Sequence, residues 1–289
     1  MSDRLADVEA RIGTLRQLEQ VVGAIRAIAA ARGRAAQTRL EAVRAHAAIV
    51  ARAIGRALAL PGSAETASAI VGHDGRAIVV FSAEQGFAGA YGAAVLERAA
   101  ALVGAGPPAR LLLIGDRGAM LAAERGMAIA WSTPMILHDD QATALAGRVV
   151  DEVWRRVAAR EITRVDLVHA RPEAAGGGVA VRSLLPFDFA RFPPDASRPA
   201  PLVQLPREVL TARLVEEWVF AEVCEAAILA FVAETEARVR AMTDAREKIG
   251  ETLEETRGRA RRLRQEAITD EIVELAGGSL AATDVGPGV

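Results

Sequence analysis

Apolar residues near the N-terminus recur with the spacing of a helix that pairs with another helix. Six of them lie 3, 4, 3, 7 and 3 residues apart, namely Leu5, Val8, Ile12, Leu15, Val22 and Ile25. No proline occurs from residue 3 to residue 59, and Pro61-Gly62-Ser63 then predicts the end of the helix. The pattern predicts one continuous helix, about 85 Å long at about 1.5 Å per residue. Such a helix requires a long partner helix to bury its stripe.

A second stripe of this kind occupies the C-terminal quarter of the chain. No proline lies between Pro206 and Pro287, so residues 207 to about 276 are predicted to form one helix, capped by Gly277-Gly278. Its apolar positions follow steps of mostly seven, three and four residues: Val232, Val239, Met242, Ile249, Leu253, Ala260, Leu263 and Ala267. Two such stripes at opposite ends of one chain bury each other most simply as an antiparallel coiled coil.

The middle of the chain alternates between strand and helix patterns. Short apolar runs predict strands at 78–81, 111–114, 128–131, 166–169 and 179–185, and amphipathic stretches predict helices at 89–103, 118–125 and 141–160. This alternation predicts a mainly parallel sheet with both faces covered. Residues 186–206 contain six prolines and read as an extended connection.

The predicted fold class is therefore α/β plus long helices: an antiparallel coiled coil of the two terminal helices with an inserted doubly wound, Rossmann-like domain. We expect three segments, an N-terminal coiled-coil helix at 1–60, an α/β domain at 70–190 and a C-terminal coiled-coil helix at 207–280.

Charge and composition narrow the classes of partner. The formal net charge of −2 argues against a general nucleic-acid binder. Arginine is nevertheless clustered, with ten Arg against five Asp or Glu in residues 1–59 and five Arg within 257–264. Such clusters suit either an acidic partner or a solvated helix face.

The single cysteine, Cys224, lies in an apolar helical stretch and is predicted to be a small buried hydrophobe. No signal core and no run of 18 apolar residues occur, so we expect membrane association only through partners.

The sequence predicts no active site, no cofactor site and no metal site. Lys248 is the only lysine, and no Gly-Lys-Ser or Gly-Lys-Thr phosphate loop occurs. Gly86, Gly89 and Gly92 follow a predicted strand, but their spacing differs from the dinucleotide fingerprint, so a tight turn is the favoured interpretation. The four histidines are too scattered along the sequence to indicate a metal site. Adjacent acidic residues lie on a predicted helix surface or in a loop, where charged side chains are expected to be solvated.

Four short segments carry a resemblance to a known family. Residues 20–37, which read QVVGAIRAIAAARGRAAQ, resemble the N-terminal signature of ATP synthase gamma subunits, approximately I-T-K-A-M-K-M-V-A-A-A-K-x-R-x-A-Q. Residues 237–242 (ARVRAM) resemble the family's A-R-M-x-A-M, and 264–272 (RQEAITDEI) are similar to its R-Q-x-x-I-T-x-E-I. Residues 82–89 (SAEQGFAG) stand where the family has S-D-R-G-L-C-G. The order and spacing of these segments match over nearly the whole chain.

The resemblance implies a non-catalytic rotor shaft that couples ion flow to ATP synthesis or hydrolysis. The implied partners are a ring of alpha and beta subunits around the coiled coil, the epsilon subunit and a ring of c subunits. The implied location is the cytoplasmic face of the cell inner membrane, peripherally bound. By motif position, the residues expected to contact partners are Arg264, Gln265, Arg26, Arg32 and Thr269.

Departures from the family pattern indicate a divergent branch, such as the alternative ATPases whose rotor carries sodium. The family lysine of I-T-K-A-M is replaced by Gly23, and the methionine of K-M-V by Ala27. In the central motif, Gln85 and Ala88 stand for the family's arginine and cysteine.

Two alternatives to a rotor shaft remain at this stage. One is a Rossmann-type nucleotide-binding enzyme with helical oligomerisation arms, which requires a cofactor fingerprint that is missing. The other is a nucleic-acid-binding coiled coil, which requires unopposed basic helices. Acidic residues are instead interleaved with the C-terminal arginines, at Glu251, Glu254, Glu255 and Glu266.

Overall fold

Two long helices begin and end the chain, and a five-stranded sheet lies between them in sequence. The computed structural model describes residues 2–60, 75–173, 177–195 and 202–283; for residues 2, 3 and 274–283 only the backbone is considered. Helix α1 spans Ser2–Leu58 and helix α5 spans Arg207–Thr283. The predicted helix end at Pro61-Gly62-Ser63 lies outside the described residues.

The elements between the long helices alternate as the apolar runs predicted. The strands are β1 (Arg76–Phe81), β2 (Ala109–Ile114), β3 (Ile129–Thr133), β4 (Arg164–Ala170) and β5 (Val179–Leu185). The helices are α2 (Tyr91–Gly104), α3 (Asp116–Glu124) and α4 (Ala142–Ala158), and single 3-10 turns occur at Asp139–Gln141 and Phe189–Arg191.

Among the described residues, the sheet has the strand order β3-β2-β1-β4-β5. Strand β1 pairs in parallel with β2 and with β4, β2 pairs in parallel with β3, and β5 runs antiparallel to β4. The sheet is therefore mainly parallel, and the predicted fold class of an α/β domain with long helices is confirmed.

The chain divides into two compact units. The first consists of Met1–Ala27 with Met242–Val289, and the second of Ile28–Ala241. In the first unit, ion pairs join Glu9 to Arg264 and Glu19 to Arg246. The residue of α1 with the higher number is paired with the residue of α5 that has the lower number, so these helix segments run antiparallel. Their predicted stripe positions are buried or half-buried, with Val8, Val22, Met242, Ile249, Leu253 and Ala260 the most buried.

The second unit buries both faces of the sheet because successive strand residues point to opposite sides. On one face, Val79, Phe81 and Leu112 pack against α4 and against the 219–232 segment of α5. On the other face, Ile78, Val80 and Leu113 pack against α2 and α3. Within this unit α1 continues its heptad spacing, with Ala29, Gly33, Ala36, Leu40, Val50, Ile54 and Ala57 buried.

One predicted boundary is wrong. Gly277 and Gly278 do not cap the C-terminal helix, which continues through both glycines to Thr283. Glycine costs a helix interior about 1 kcal/mol relative to alanine, which weakens a helix without forcing it to end.

Among the described residues, no helix combines the length and apolar character needed to cross a membrane.

Candidate functional site

The loop after β1, residues 82–90, lies at the carboxyl edge of the sheet, where doubly wound folds bind their ligands. The strand order reverses between β1 and β4, so this loop borders the switch point. The Glu84 carboxylate accepts hydrogen bonds from the backbone N–H groups of Asp116 (3.1 Å) and Met135 (2.7 Å). Burial raises the pKa of the Glu84 carboxyl, although both N–H groups oppose that shift. Glu84 thus joins the loops that follow β1, β2 and β3.

Helix α5 contacts the same loop through a buried carboxylate. The Glu234 side chain accepts hydrogen bonds from the backbone N–H groups of Glu84 and Gln85, each at 3.2 Å. One turn further along α5, Arg238 pairs with Glu234 and donates from Nε to the carbonyl of Gly86 at 3.2 Å. The Tyr91 hydroxyl also donates to the carbonyl of Ala230 at 3.0 Å.

The bonds of Glu234 to this loop show whether the glycines at 86, 89 and 92 could form a dinucleotide site. In a dinucleotide site, loop N–H groups bind phosphate oxygens. Here two loop N–H groups already bind the Glu234 carboxylate, which would repel a phosphate at that position. Gly89 has a φ of +55°, and a Cβ on Gly92 would lie 3.3 Å from Leu121 Cδ1. Gly89 and Gly92 therefore serve the turn and close packing.

A second group of charges joins α5 to strand β5 and to α1. Arg182 on β5 reaches Glu222 and Glu225 of α5 at 3.2 and 3.3 Å. Arg44 of α1 binds Glu225 at 2.9 Å, and Arg191 binds Glu222 at 3.3 Å. Because each carboxylate has two arginine partners, this cluster fixes the position of the 222–225 turn of α5.

The first unit carries apolar side chains on its outside as well as in its stripe. The exposed large apolar residues there are Leu18, Val21, Ile268, Ile272 and Val273. Exposed apolar residues that recur on one helix face mark a surface for another protein when they form a contiguous patch. On α5 the spacing of 268 and 272, one helical turn, places both isoleucines on the same face.

Three predicted contact residues lie beside these isoleucines. Gln265 and Thr269 are exposed and are separated by one turn, so they share a face with Ile268 and Ile272. The Thr269 hydroxyl donates to the carbonyl of Gln265 at 2.9 Å. Arg264 is exposed and pairs with Glu9 of α1 at 2.6 Å, a contact within this chain.

The other two predicted contact residues belong to different units. Arg26 lies in the first unit at a position of the continuing heptad spacing, half-buried. Its Nε is buried and has no hydrogen-bond partner among the described residues. Arg32 lies in the second unit and is also half-buried.

The exposed apolar residues of both units were not predicted from the sequence. Ile268 and Ile272 stand within the RQEAITDEI segment but off the helix stripe, which is the pattern that could have identified them. In the second unit, Leu202, Val203, Leu205 and Val209 are exposed. The first three line a cavity of about 430 Å³ together with Ala53, Ala57 and Leu214. This group of residues at 202–209 is called the 202–209 apolar surface below.

Across the described part of the chain, no group of three or more His, Cys, Asp or Glu side chains is placed to bind a metal ion. Burial raises the pKa of the Cys224 thiol to about 11, as is typical of an unreactive buried cysteine.

Comparison of the sequence with known proteins gives matches over nearly its full length. A family model described as ATP synthase matches residues 4–282. A protein of Solibacter usitatus named ATP synthase gamma chain is 26% identical over 292 residues, covering 96% of this chain and 99% of that protein. A gamma chain of Moorella thermoacetica is 28% identical over 285 residues, covering 95% and 98%.

Solved structures share the fold at lower sequence identity. A chain in the mitochondrial ATP synthase of Euglena gracilis, described as OSCP/F1/c-ring, has a TM-score of 0.69 at 13% identity and covers 100% of this chain and 98% of its own. A chain in the central stalk and c-ring of the Tetrahymena thermophila mitochondrial enzyme has a TM-score of 0.53 at 18% identity, covering 78% and 99%.

Proposed function

This chain belongs to the family of ATP synthase gamma chains, and on that premise we propose that it is the central rotor shaft of an F-type ATP synthase. In this role it couples ion flow through a membrane ring to ATP synthesis or hydrolysis in a ring of alpha and beta subunits. The observation that carries the proposal is the first unit, in which two antiparallel helix segments bury one apolar stripe together and present further apolar residues outward.

We assign the outward apolar residues of the first unit to the contact with the alpha and beta subunits. A shaft that turns inside a ring needs a surface that excludes water without forming bonds of fixed direction, and apolar side chains provide this. Arg264, Gln265 and Thr269 add polar groups beside Ile268 and Ile272. Guanidinium groups are suited to carboxylates, so we expect acidic groups of the ring opposite Arg264 and Arg26, and likewise opposite Arg32 of the second unit.

The second unit is proposed to contact the epsilon subunit and the ring of c subunits. The 202–209 apolar surface is the part of this unit that supports the proposal, because several large apolar side chains are exposed together there. We place the c-ring contact on this surface.

We infer that the chain performs no catalysis itself. The carboxyl edge of the sheet, where a related fold would bind a nucleotide, is covered by α5 and its loop N–H groups are bonded to Glu234. The nucleotide chemistry of the complex is therefore assigned to the ring of alpha and beta subunits.

As a gamma-family member, the chain is part of the peripheral F1 sector of a membrane-bound ATP synthase. We propose that it lies on the cytoplasmic face of the cell inner membrane and reaches that membrane through its partner subunits.

Co-expression of the tagged chain with the alpha and beta subunits of the same organism tests this function. We expect a purified complex with one copy of this chain per ring and ATPase activity that depends on its presence. A chain that purifies alone as a stable oligomer, with no ring subunits and no effect on ATP hydrolysis, would contradict the proposal and favour the Rossmann-type alternative.

A further inference from the structure

We propose that Glu234, together with Arg238, is a positioning residue that prevents helix α5 from slipping against the α/β domain when torque acts on the shaft. The inference rests on the proposed function, because only a rotating shaft must transmit torque between these two parts. It concerns contacts within the second unit alone: residues 84–86 of the loop after β1 and residues 234–238 of α5.

Glu234 and Arg238 are charged side chains buried at the junction between α5 and the loop after β1. The side chains of Glu234 and Arg238 are 3% and 10% exposed. Removing two charges from water costs several kcal/mol per ion unless each gains a partner and further hydrogen bonds. Both gain them: Glu234 accepts from two backbone N–H groups, and Arg238 donates to the carbonyl of Gly86.

The apolar contacts at this junction cannot fix its geometry by themselves. Ala83 and Ala88 of the loop and Ala233 and Ala237 of α5 belong to one buried cluster. Contacts between methyl groups have no preferred direction, so at this junction they resist a small rotation or slide of α5 less sharply than hydrogen bonds do. Hydrogen bonds weaken steeply when their angle and length change, so they resist both movements.

The bonds of Glu234 and Arg238 hold the loop on two sides. Glu234 binds the N–H groups of Glu84 and Gln85, whereas Arg238 binds the carbonyl of Gly86. The carboxylate of Glu84 in turn binds the N–H groups of Asp116 and Met135, so force on the loop passes to the loops after β2 and β3. The Arg182 cluster also joins α5 to the sheet, but the Arg182 side chain is 35% exposed, so water competes for its bonds. The Tyr91 hydroxyl adds one buried bond to the carbonyl of Ala230, but it starts from α2 and does not hold residues 84–86 of the loop.

The decisive variant removes the directional bonds while keeping the packing. We choose Glu234→Leu with Arg238→Met, because apolar residues of similar volume commonly replace a buried ion pair without loss of stability. The control is Arg76→Met with Asp166→Leu, which removes a partly buried ion pair (Nη2 to Oδ2, 2.7 Å) between β1 and β4. That pair lies inside the α/β domain and does not contact α5.

The measurement uses the complete ATP synthase reconstituted in vesicles, with ion pumping per ATP hydrolysed as the readout. We expect the Glu234/Arg238 variant to assemble and hydrolyse ATP but to pump several-fold fewer ions per ATP, whereas the control pumps as the wild type does. Hydrogen exchange of the same complex should show the amides of Glu84 and Gln85 exchanging about ten-fold faster in the variant.

A covalent bond across the junction provides a rescue test. A Cβ built on Gly89 lies 4.0 Å from the Cβ of Ala241, close to the separation of about 3.8 Å found in disulfides. Because a side chain at the φ of +55° of Gly89 is strained, Gly89→Cys with Ala241→Cys is first placed in the wild type, where the closed disulfide should leave pumping unchanged. Added to the variant and closed by an oxidant, the same pair should restore pumping per ATP, and dithiothreitol should abolish the restoration.

Two results would overturn the inference: wild-type pumping per ATP in the variant despite faster exchange at Glu84 and Gln85, or a loss of pumping that a closed disulfide without effect on the wild type does not restore. Failure of the proposed function is distinguishable, because a wild-type complex that lacks this chain or does not couple hydrolysis to pumping would refute the shaft role before any variant is compared.

Discussion

At the residue scale, His169 is a fully buried titratable group whose charged form is disfavoured by its surroundings. It lies at the end of β4 with no exposed surface, and its Nδ1 is 3.0 Å from the carbonyl of Ala170. Its Nε2 has no hydrogen-bond partner within the described ranges. Burial lowers the pKa of His169 to about 4; nearby Arg182 and Arg171 also lower it, while Ala170 and Glu225 oppose them.

This pKa predicts that acid destabilises the chain. Between pH 6.5 and about 4 the unfolded chain binds a proton at His169 that the folded chain does not. The free energy of unfolding should therefore fall as the pH falls through this window, by at most about 3 kcal/mol from this residue. Urea unfolding of the full chain at several pH values measures the effect.

His169→Asn should reduce this pH dependence, because an amide can still donate to the carbonyl of Ala170 but does not titrate. His138, which is exposed, supplies the matched control: His138→Asn makes the same substitution outside the core. An unaltered slope in the His169 variant would show that the pH dependence arises elsewhere.

At the element scale, the sequence predicted which segments form helices and strands but not all of their contacts. The stripe residues from Leu5 to Ile25 and from Val232 to Ala267 are buried or half-buried, because heptad spacing places them on one face. The apolar runs of the middle segment likewise became strands, because their length and turn residues were distinctive.

The packing of α5 against the sheet was not predictable from periodicity. Between Val219 and Val232 almost every residue of α5 is buried, including Cys224. A helix buried on all sides shows no amphipathic pattern, so its partners cannot be read from the spacing of its residues. The bonds of Glu234 to the loop after β1 join residues 149 and 150 positions apart, and no local sequence pattern reports such a contact.

Arg264 and Gln265, the predicted contact residues near the end of α5, allow this element's role in coupling to be tested. Arg264→Ala with Gln265→Ala should lower coupled turnover of the assembled complex about ten-fold, since a lost charge-assisted bond of about 1.5 kcal/mol has that effect. The fold should persist, because the Arg264–Glu9 pair is exposed and such pairs contribute little. ATP synthesis driven by an ion gradient provides the measurement.

Arg246→Ala is the matched control for this variant. It removes the exposed Arg246–Glu19 pair between the same two helices, outside the RQEAITDEI segment. Full coupled activity in the Arg264/Gln265 variant, or an equal loss in the Arg246 variant, would show that the contact assignment is wrong.

At the scale of the whole molecule, each unit has exposed apolar side chains among the described residues. In the first unit these are on α1 and α5, and in the second they include the 202–209 apolar surface. A chain that exposes such groups in both units is suited to assembly with other subunits. We assign the first group to the contact with the alpha and beta ring and the 202–209 apolar surface to the contact with the c ring.

The c-ring assignment predicts the effect of charge on the 202–209 apolar surface. Leu202→Glu with Leu205→Glu should abolish ion pumping by membrane vesicles while ATP hydrolysis by the detached F1 sector continues, because a buried unpaired carboxylate disfavours the contact. Met120→Glu serves as control, since Met120 on α3 and Leu205 are 57% and 51% exposed. Undiminished pumping in the Leu202/Leu205 variant would exclude this surface as the c-ring contact.

The central claim, that this chain is the rotating shaft, is tested most directly by watching it turn. Arg98→Cys places a thiol on the exposed side of α2, and native Cys224 is buried with a pKa of about 11, so a probe attaches at residue 98 alone. The alpha and beta ring is fixed to a surface and ATP is added. If the chain is the shaft, the probe should rotate stepwise in one direction and stop when ATP is removed. A probe that stays fixed relative to a ring that is hydrolysing ATP would contradict this claim.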